Sequence, residues 1–189
     1  MNTKDNQRTR LSKMLLKNAM LELLKEKKAV NKITVKELCE RAELNRSTFY
    51  AHYGEPKDLL SEIEDELISS VTNHLGKIGD SDDIANAHSY ILSFLNYIRN
   101  NDKPFRTLLV ETADTSFKNK FMNMATSKIV DFNFTLNSAE EQYVYSYILN
   151  GSASVIIQWL RSDYAIDENK LVELLFKMNK DLLQGVVIE

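Results

Sequence analysis

The stretch from Asn45 to Tyr53, NRSTFYAHY, gathers an amide, a guanidinium, two hydroxyls, two phenols and an imidazole within a few turns of chain. Arg46 can give two hydrogen bonds to a guanine edge or pair with a phosphate, and Ser47 and Thr48 can reach either. Phe49 and Tyr53 are four apart and can share a buried face. Tyr50 and His52 lie off that row, which turns their phenol and imidazole outward, toward phosphates. Asn45 and Tyr53 are counted in the same candidate set, at its two ends. Upstream, Thr34 admits two compatible roles, a helix N-cap and a phosphate contact. Lys36, on the same first turn, either reaches nucleic acid or stands as a solvated lysine. The chemistry these residue types suggest is recognition of double-stranded DNA. The competing reading is a set of exposed polar residues on a short helix.

The elements that would hold them are legible from the apolar spacing. Leu11, Leu15, Ala19 and Leu23, with Leu16, Met20 and Leu24 on the adjoining row, predict a first helix over 8–28. Thr34 and Glu37 stand at capping-box spacing, and Val35, Leu38, Cys39 and Ala42 then mark one face of a helix over 35–42. Cys39 belongs to that stripe and reads as a small core residue, not a reactive thiol. The pattern breaks at Glu43-Leu44-Asn45, where Asn45 is a good N-cap for another short helix. Two short helices joined by about three residues form a helix-turn-helix, whose second helix normally enters the major groove.

The stretch from Ile33 to Leu60, ITVKELCERAELNRSTFYAHYGEPKDLL, resembles the DNA-binding signature of TetR-family regulators. The likeness combines a Thr-capped scaffold helix, a short turn, an aromatic-rich recognition helix and a Lys-Asp-Leu-Leu opening of the next helix. Two positions depart from the pattern. Glu43 stands where a turn glycine is common, at a cost if the backbone there needs positive φ. Pro56 stands where members often place the lysine that opens the fourth helix. Pro suits the first helical position but carries no charge, and the resemblance passes the phosphate contact to the adjacent Lys57. The resemblance implies an all-α chain of about nine helices. A three-helix head (residues 1–55) would bind DNA, and a helical body (residues 56–189) would bind an effector and dimerise.

Composition agrees with a helical, globular chain. Its 189 residues are 43% hydrophobic and 27% charged, with only five Gly and two Pro to support tight turns. The net charge of −3 hides a division. Residues 1–53 hold 12 Lys/Arg and 6 Asp/Glu, a net of +6, and the rest of the chain carries −9. A basic head on an acidic body suggests a nucleic-acid footprint at one end. A lone cysteine, a polar N-terminus and the lack of any apolar run of membrane-spanning length lead to the expectation of a cytoplasmic protein without membrane contact. The phosphate-binding, nucleophile-elbow and zinc-protease motifs are absent from the sequence, so no cofactor and no enzymatic role is expected. Gly151-Ser152-Ala153-Ser154 reads as close helix packing. His52, His74 and His88 lack metal-ligand spacing, and no metal is expected; His74 and His88 line a cavity or sit at the surface.

Beyond Pro56 the chain keeps a helical pattern. The fourth helix is expected to end near Gly76 or Gly79 and a fifth covers 82–100. A short segment follows at Pro104, and another helix runs from 114–116 to about Phe132. Ser138 and Glu141 form a second capping-box spacing, and the last helix spans about 168–183, with Leu182 near its end. The aromatics are first of all core residues. Phe94, Tyr97, Phe121 and Tyr147 are also the candidates for a pocket accepting an apolar or aromatic small molecule, with His88 and Asn150 as polar neighbours. Gly151, Val155 and Trp159 on the penultimate helix, with Leu171, Leu175 and Met178 on the last, are the candidates for a homodimer interface. The function expected is a ligand-responsive repressor acting as a homodimer on a palindromic operator. The alternatives are a helical regulator controlled by a protein partner, and a small helical enzyme.

Overall fold

The computed structural model describes residues 3–75, 84–131 and 138–186, with side chains placed at 6–75, 87–124 and 138–180. Gly76, Gly79, Phe132 and the Leu182 side chain lie outside the described residues. Among these residues the chain forms nine α-helices and no strand. They are α1 (Thr3–Lys27), α2 (Val35–Ala42), α3 (Arg46–Tyr50), α4 (Pro56–Leu75), α5 (Ile84–Asn100), α6 (Asp102–Arg106), α7 (Ser116–Asp131), α8 (Ala139–Arg161) and α9 (Glu168–Val186). Helix α1 starts at Thr3, earlier than the apolar period predicts, because the polar leader contains no Gly or Pro to break it. Its first expected core residue, Leu11, is 53% exposed, whereas Leu16, Ala19, Met20, Leu23 and Leu24 are buried.

Both capping boxes form as the spacing predicts. Thr34 Oγ1 accepts from the Glu37 N–H (3.3 Å) while the Thr34 N–H donates to Glu37 Oε2 (3.0 Å). Ser138 and Glu141 repeat the arrangement at 3.2 and 3.1 Å. Helix α2 ends in a Schellman motif, in which Leu44 N–H donates to Cys39 O (2.9 Å) and Glu43 N–H to Glu40 O. This closure requires a left-handed residue, and Glu43 takes it with φ 55° and ψ 40°. A non-glycine residue there carries a strain of about 1 kcal/mol.

The chain divides into two compact units. The first comprises residues 1–69 and 103–117. Its buried side chains include Leu16, Met20, Leu24, Leu38, Phe49, Leu59, Phe105 and Phe117. After α6 a single π-helical turn (Thr107–Glu111) leads to Thr112 and Ala113, which donate to the Lys28 carbonyl at the end of α1 (3.0 and 2.7 Å). The second unit comprises residues 70–102 and 118–189. Leu95, Ile98, Phe121, Ile156, Trp159, Leu160, Leu171, Val172 and Leu175 are buried in it. There α9 packs against both α5 and α8. At the α8–α9 connection Asp163 and Tyr164 both have positive φ (53° and 59°). They are held by Trp159, whose indole N–H donates to Ile166 O (2.7 Å), by the Tyr164 hydroxyl on Asp102, and by Arg99, which lies over the Tyr164 ring and pairs with Glu168 (2.7 Å).

Candidate nucleic-acid interface

Helix α3 is short, and Phe49 is its buried residue. Phe49 is fully buried, with its ring 5.6 Å from that of Tyr53. Arg46, Ser47 and Tyr50, at i, i+1 and i+4, are left exposed on the other side, with Tyr50 60% exposed. Thr48 and His52 are half-buried. Asn45 occupies the N-cap in extended conformation and its carbonyl accepts from Thr48 N–H (3.0 Å), but its side chain makes no cap bond. The amide is therefore open to solvent and to a ligand.

Tyr53 departs from the expected set. It is only 5% exposed, and its phenol donates to Glu62 Oε1 (3.2 Å). Burial, and then the Glu62 charge, push this phenol's pKa upward. Tyr53 supports the recognition helix from inside and offers no phenol to a phosphate. Thr34 acts as the cap. Its hydroxyl also donates to Glu37 Oε2 (2.9 Å), so a phosphate at this position must displace that carboxylate. Lys36 is exposed and loosely paired with Glu40 at 3.7 Å. At the start of α4, Pro56 is the first helical residue, and the Gly54 and Glu55 N–H groups both donate to Asp58 Oδ2 at 2.9 Å. Lys57 is exposed, and among the described residues no carboxylate pairs with it. Cys39 is 4% exposed and burial raises its thiol pKa, in keeping with a core role.

The basic character of the head is partly spent inside the protein. Lys13 pairs with Glu62 (3.0 Å), and Lys17 with Glu62 and Glu66 (2.7 and 2.6 Å). Lys25 pairs with Glu111, Lys27 with Glu37, and Arg41 with Glu22 and Glu26. Among the described basic residues before residue 54, Arg8, Arg10, Lys28, Lys32 and Arg46 stand outside any ion pair. The Lys13/Lys17–Glu62/Glu66 ladder was not expected from the sequence. Its one signal is a matched spacing of four on each side, which does not reveal that α1 and α4 are neighbours.

In the second unit, the four pocket candidates are not gathered at one place. Phe94 and Phe121 stack at 5.6 Å, with Phe121 5% exposed, whereas Tyr147 is 68% exposed. Tyr97 lines a solvent-open cleft of about 310 Å³ with His74, Ser89, Leu92, Ser93, Asn96 and Asn100. His74 Nε2 lies 2.9 Å from Ser93 Oγ, and its ring is 4.8 Å from that of Tyr97. His88 stacks on Phe176, and exposed Asn150 donates to Ser146 O. Of the dimer candidates, Trp159, Leu171 and Leu175 are 3%, 1% and 3% exposed and belong to the subunit core. Gly151 is open, with no atom within 4 Å of a Cβ added there; Val155 is half-buried and Met178 is exposed. Among the described side chains of α8 and α9, the other large hydrophobic ones left exposed are Tyr143, Tyr147 and Leu174.

Residues 85–181 match the profile of a TetR-type family described as the transcriptional regulator C-terminal region. No curated protein matches the sequence. Among solved structures, the fold is similar to a TetR transcriptional regulator from Streptococcus agalactiae 2603V, with TM-score 0.70, 23% identity, and 92% of this chain and 96% of that one covered. It is also similar to NalD, the secondary repressor of the MexAB-OprM multidrug efflux pump in Pseudomonas aeruginosa, with TM-score 0.66, 16% identity and coverage of 99% and 100%. A third similar structure is the dihydroxyacetone kinase operon activator DhaS, with TM-score 0.58, 18% identity and coverage of 94% and 97%. The chain belongs to the TetR family and is a transcriptional regulator of that type.

Proposed function

We propose that this regulator binds a palindromic operator as a homodimer, with α3 in the major groove, and represses the gene it covers. One observation carries the reading: buried Phe49 turns Arg46, Ser47 and Tyr50 outward together, on a helix fixed by the Schellman turn at Glu43. Arg46 supplies base readout, Tyr50 and Lys57 supply phosphate contacts, and Asn45 has a free amide for either. NalD is a repressor and DhaS an activator by name, so the sign rests on another argument. A dimer seated on its operator excludes other proteins from that DNA by occupancy alone, whereas activation requires a further contact surface. Such a regulator works in the cytoplasm, on the chromosome. The test is whether purified protein retards its own upstream DNA at moderate salt with no added factor. Retardation only when a second protein is present would replace this reading with control by a partner.

For the dimer, the burial of Trp159, Leu171 and Leu175 in the core favours an interface at Tyr143, Tyr147, Gly151, Leu174 and Met178. These are large apolar side chains left in water, together with an open glycine that permits close approach. For the effector, the cleft beside Tyr97 supports a small neutral molecule. Its lining offers hydroxyls, amides and two rings but no Asp, Glu, Lys or Arg, which disfavours a multiply ionised ligand. Such a molecule shifts operator affinity only by its differential affinity for two conformations. A thermal shift with neutral compounds, lost in Asn96→Leu, checks the site; no shift across such a set removes the effector.

A further inference from the structure

Glu62 uses both carboxylate oxygens to join three parts of the head. Oε1 accepts from Lys17 (2.7 Å) and from the Tyr53 phenol (3.2 Å), and Oε2 accepts from Lys13 (3.0 Å). Lys13 also sits over the Tyr53 ring, 5.4 Å from its centroid. Lys13 and Lys17 occupy successive turns of α1, and Glu62 and Glu66 occupy successive turns of α4, so the two helices are joined as a ladder. Tyr53 follows α3 directly and packs on Phe49, the residue that orients Arg46 and Tyr50.

We propose that Glu62 is a positioning residue for DNA recognition: it fixes the end of the recognition helix through Tyr53 and holds Lys13 and Lys17 away from nucleic acid. This rests on the reading of the head as the operator-binding element. The physical argument is one of competition. A lysine that contacts phosphate releases a counterion and adds about 0.9 to the slope of log K against log salt, regardless of sequence. Lys13 and Lys17 keep only 33% and 19% of their side-chain surface, so their pairs are screened less than surface pairs. Burial lowers the Lys17 pKa, but its bonds to Glu62 and Glu66 outweigh this and the net shift is upward. Lys17 therefore remains charged, and the contacts of both lysines with Glu62 commit them to α4. Freed, they would attract any duplex equally and erode the preference for the operator.

The experiment compares a duplex selected by the wild-type protein from a random pool with a scrambled duplex, across a salt series. Glu62→Gln is expected to steepen the slope by about one to two and to raise affinity for the scrambled duplex. Replacing Lys13 and Lys17 together by Gln is expected to leave the slope unchanged. Tyr53→Phe keeps the ring and removes only the phenol bond, so it should lose several-fold preference for the selected duplex with an unaltered slope. If folded Glu62→Gln keeps the wild-type slope, or if the lysine variant lowers the slope by about one or more, the withholding role is overturned. If Tyr53→Phe keeps full preference, the positioning role is overturned. Should Glu62→Gln fail to fold, the other two variants decide. A wild-type protein that binds no DNA overturns the parent reading before any variant is made.

Discussion

The two compact units use the same construction material to different ends. In the first, many ionised residues of α1, α2 and α4 bind one another, and the exposed large hydrophobic side chains described there are Leu11, Met14 and Tyr50. In the second, α8 and α9 leave Tyr143, Tyr147, Leu174 and Met178 in water while their charged residues are mostly surface ones. The two capping boxes, Thr34–Glu37 and Ser138–Glu141, have the same geometry, and in the head Glu37 is also bound by Lys27. Under the proposed function, a head that meets a polyanion has to control its own charge, whereas a body that meets another copy of itself has to keep apolar surface available.

The contrast is most strongly tested inside the body. Trp159→Ala removes a buried indole and its 2.7 Å bond to Ile166 O, and should cost roughly 3–5 kcal/mol in denaturant unfolding. Replacing both Tyr147 and Met178 by Asp should instead give folded monomers in sedimentation, with subunit stability altered by no more than about 0.5 kcal/mol. Leu175→Asp belongs with Trp159, not with this pair. If it yields stable monomers, the division between core and interface is wrong.

In the head, Arg46→Ala should lose about 1–3 kcal/mol of operator affinity and relax base preference, while leaving thermal stability unchanged. Binding every duplex as wild type does would remove Arg46 as the reading residue.

Acid should separate the two units. Glu37 is held at about 2, against an ordinary 4.5, by its bonds from Lys27 and then Thr34. Burial pushes Glu62 upward, but Lys17 and Lys13 outweigh it and hold it at about 2 as well. With folded values below unfolded ones, both contribute stability above about pH 4.5 and lose it as pH falls toward 2. The lone Trp159 reports on the body. On acid titration the helical circular dichroism should begin to fall at a higher pH than the Trp159 fluorescence changes, and coincident transitions would erase the distinction. The smallest effect is expected from Glu43→Gly, which relieves the left-handed strain and should stabilise the head by up to about 1 kcal/mol in thermal unfolding.

What the sequence by itself determined was local. Thr34 and Ser138 capped their helices, Glu43 took the left-handed turn where a glycine is usual, and Pro56 opened α4, because each of these depends on residues within one helical turn. The helix layout and the likeness to the TetR signature were legible for the same reason. Only the tertiary structure decided which side of each apolar row is covered. Spacing makes Trp159, Leu175, Tyr147 and Met178 equal members of helical rows, and the packing of α8 and α9 buries the first two and exposes the others. Tyr53 has the same character. Its type suited a phosphate contact, but a carboxylate nine residues along the chain, carried back by the turn into α4, claimed its phenol. Pairing of Lys13 and Lys17 with Glu62 spans 49 and 45 residues, and no local pattern encodes it; it exists because two helices with matching four-residue steps were brought side by side.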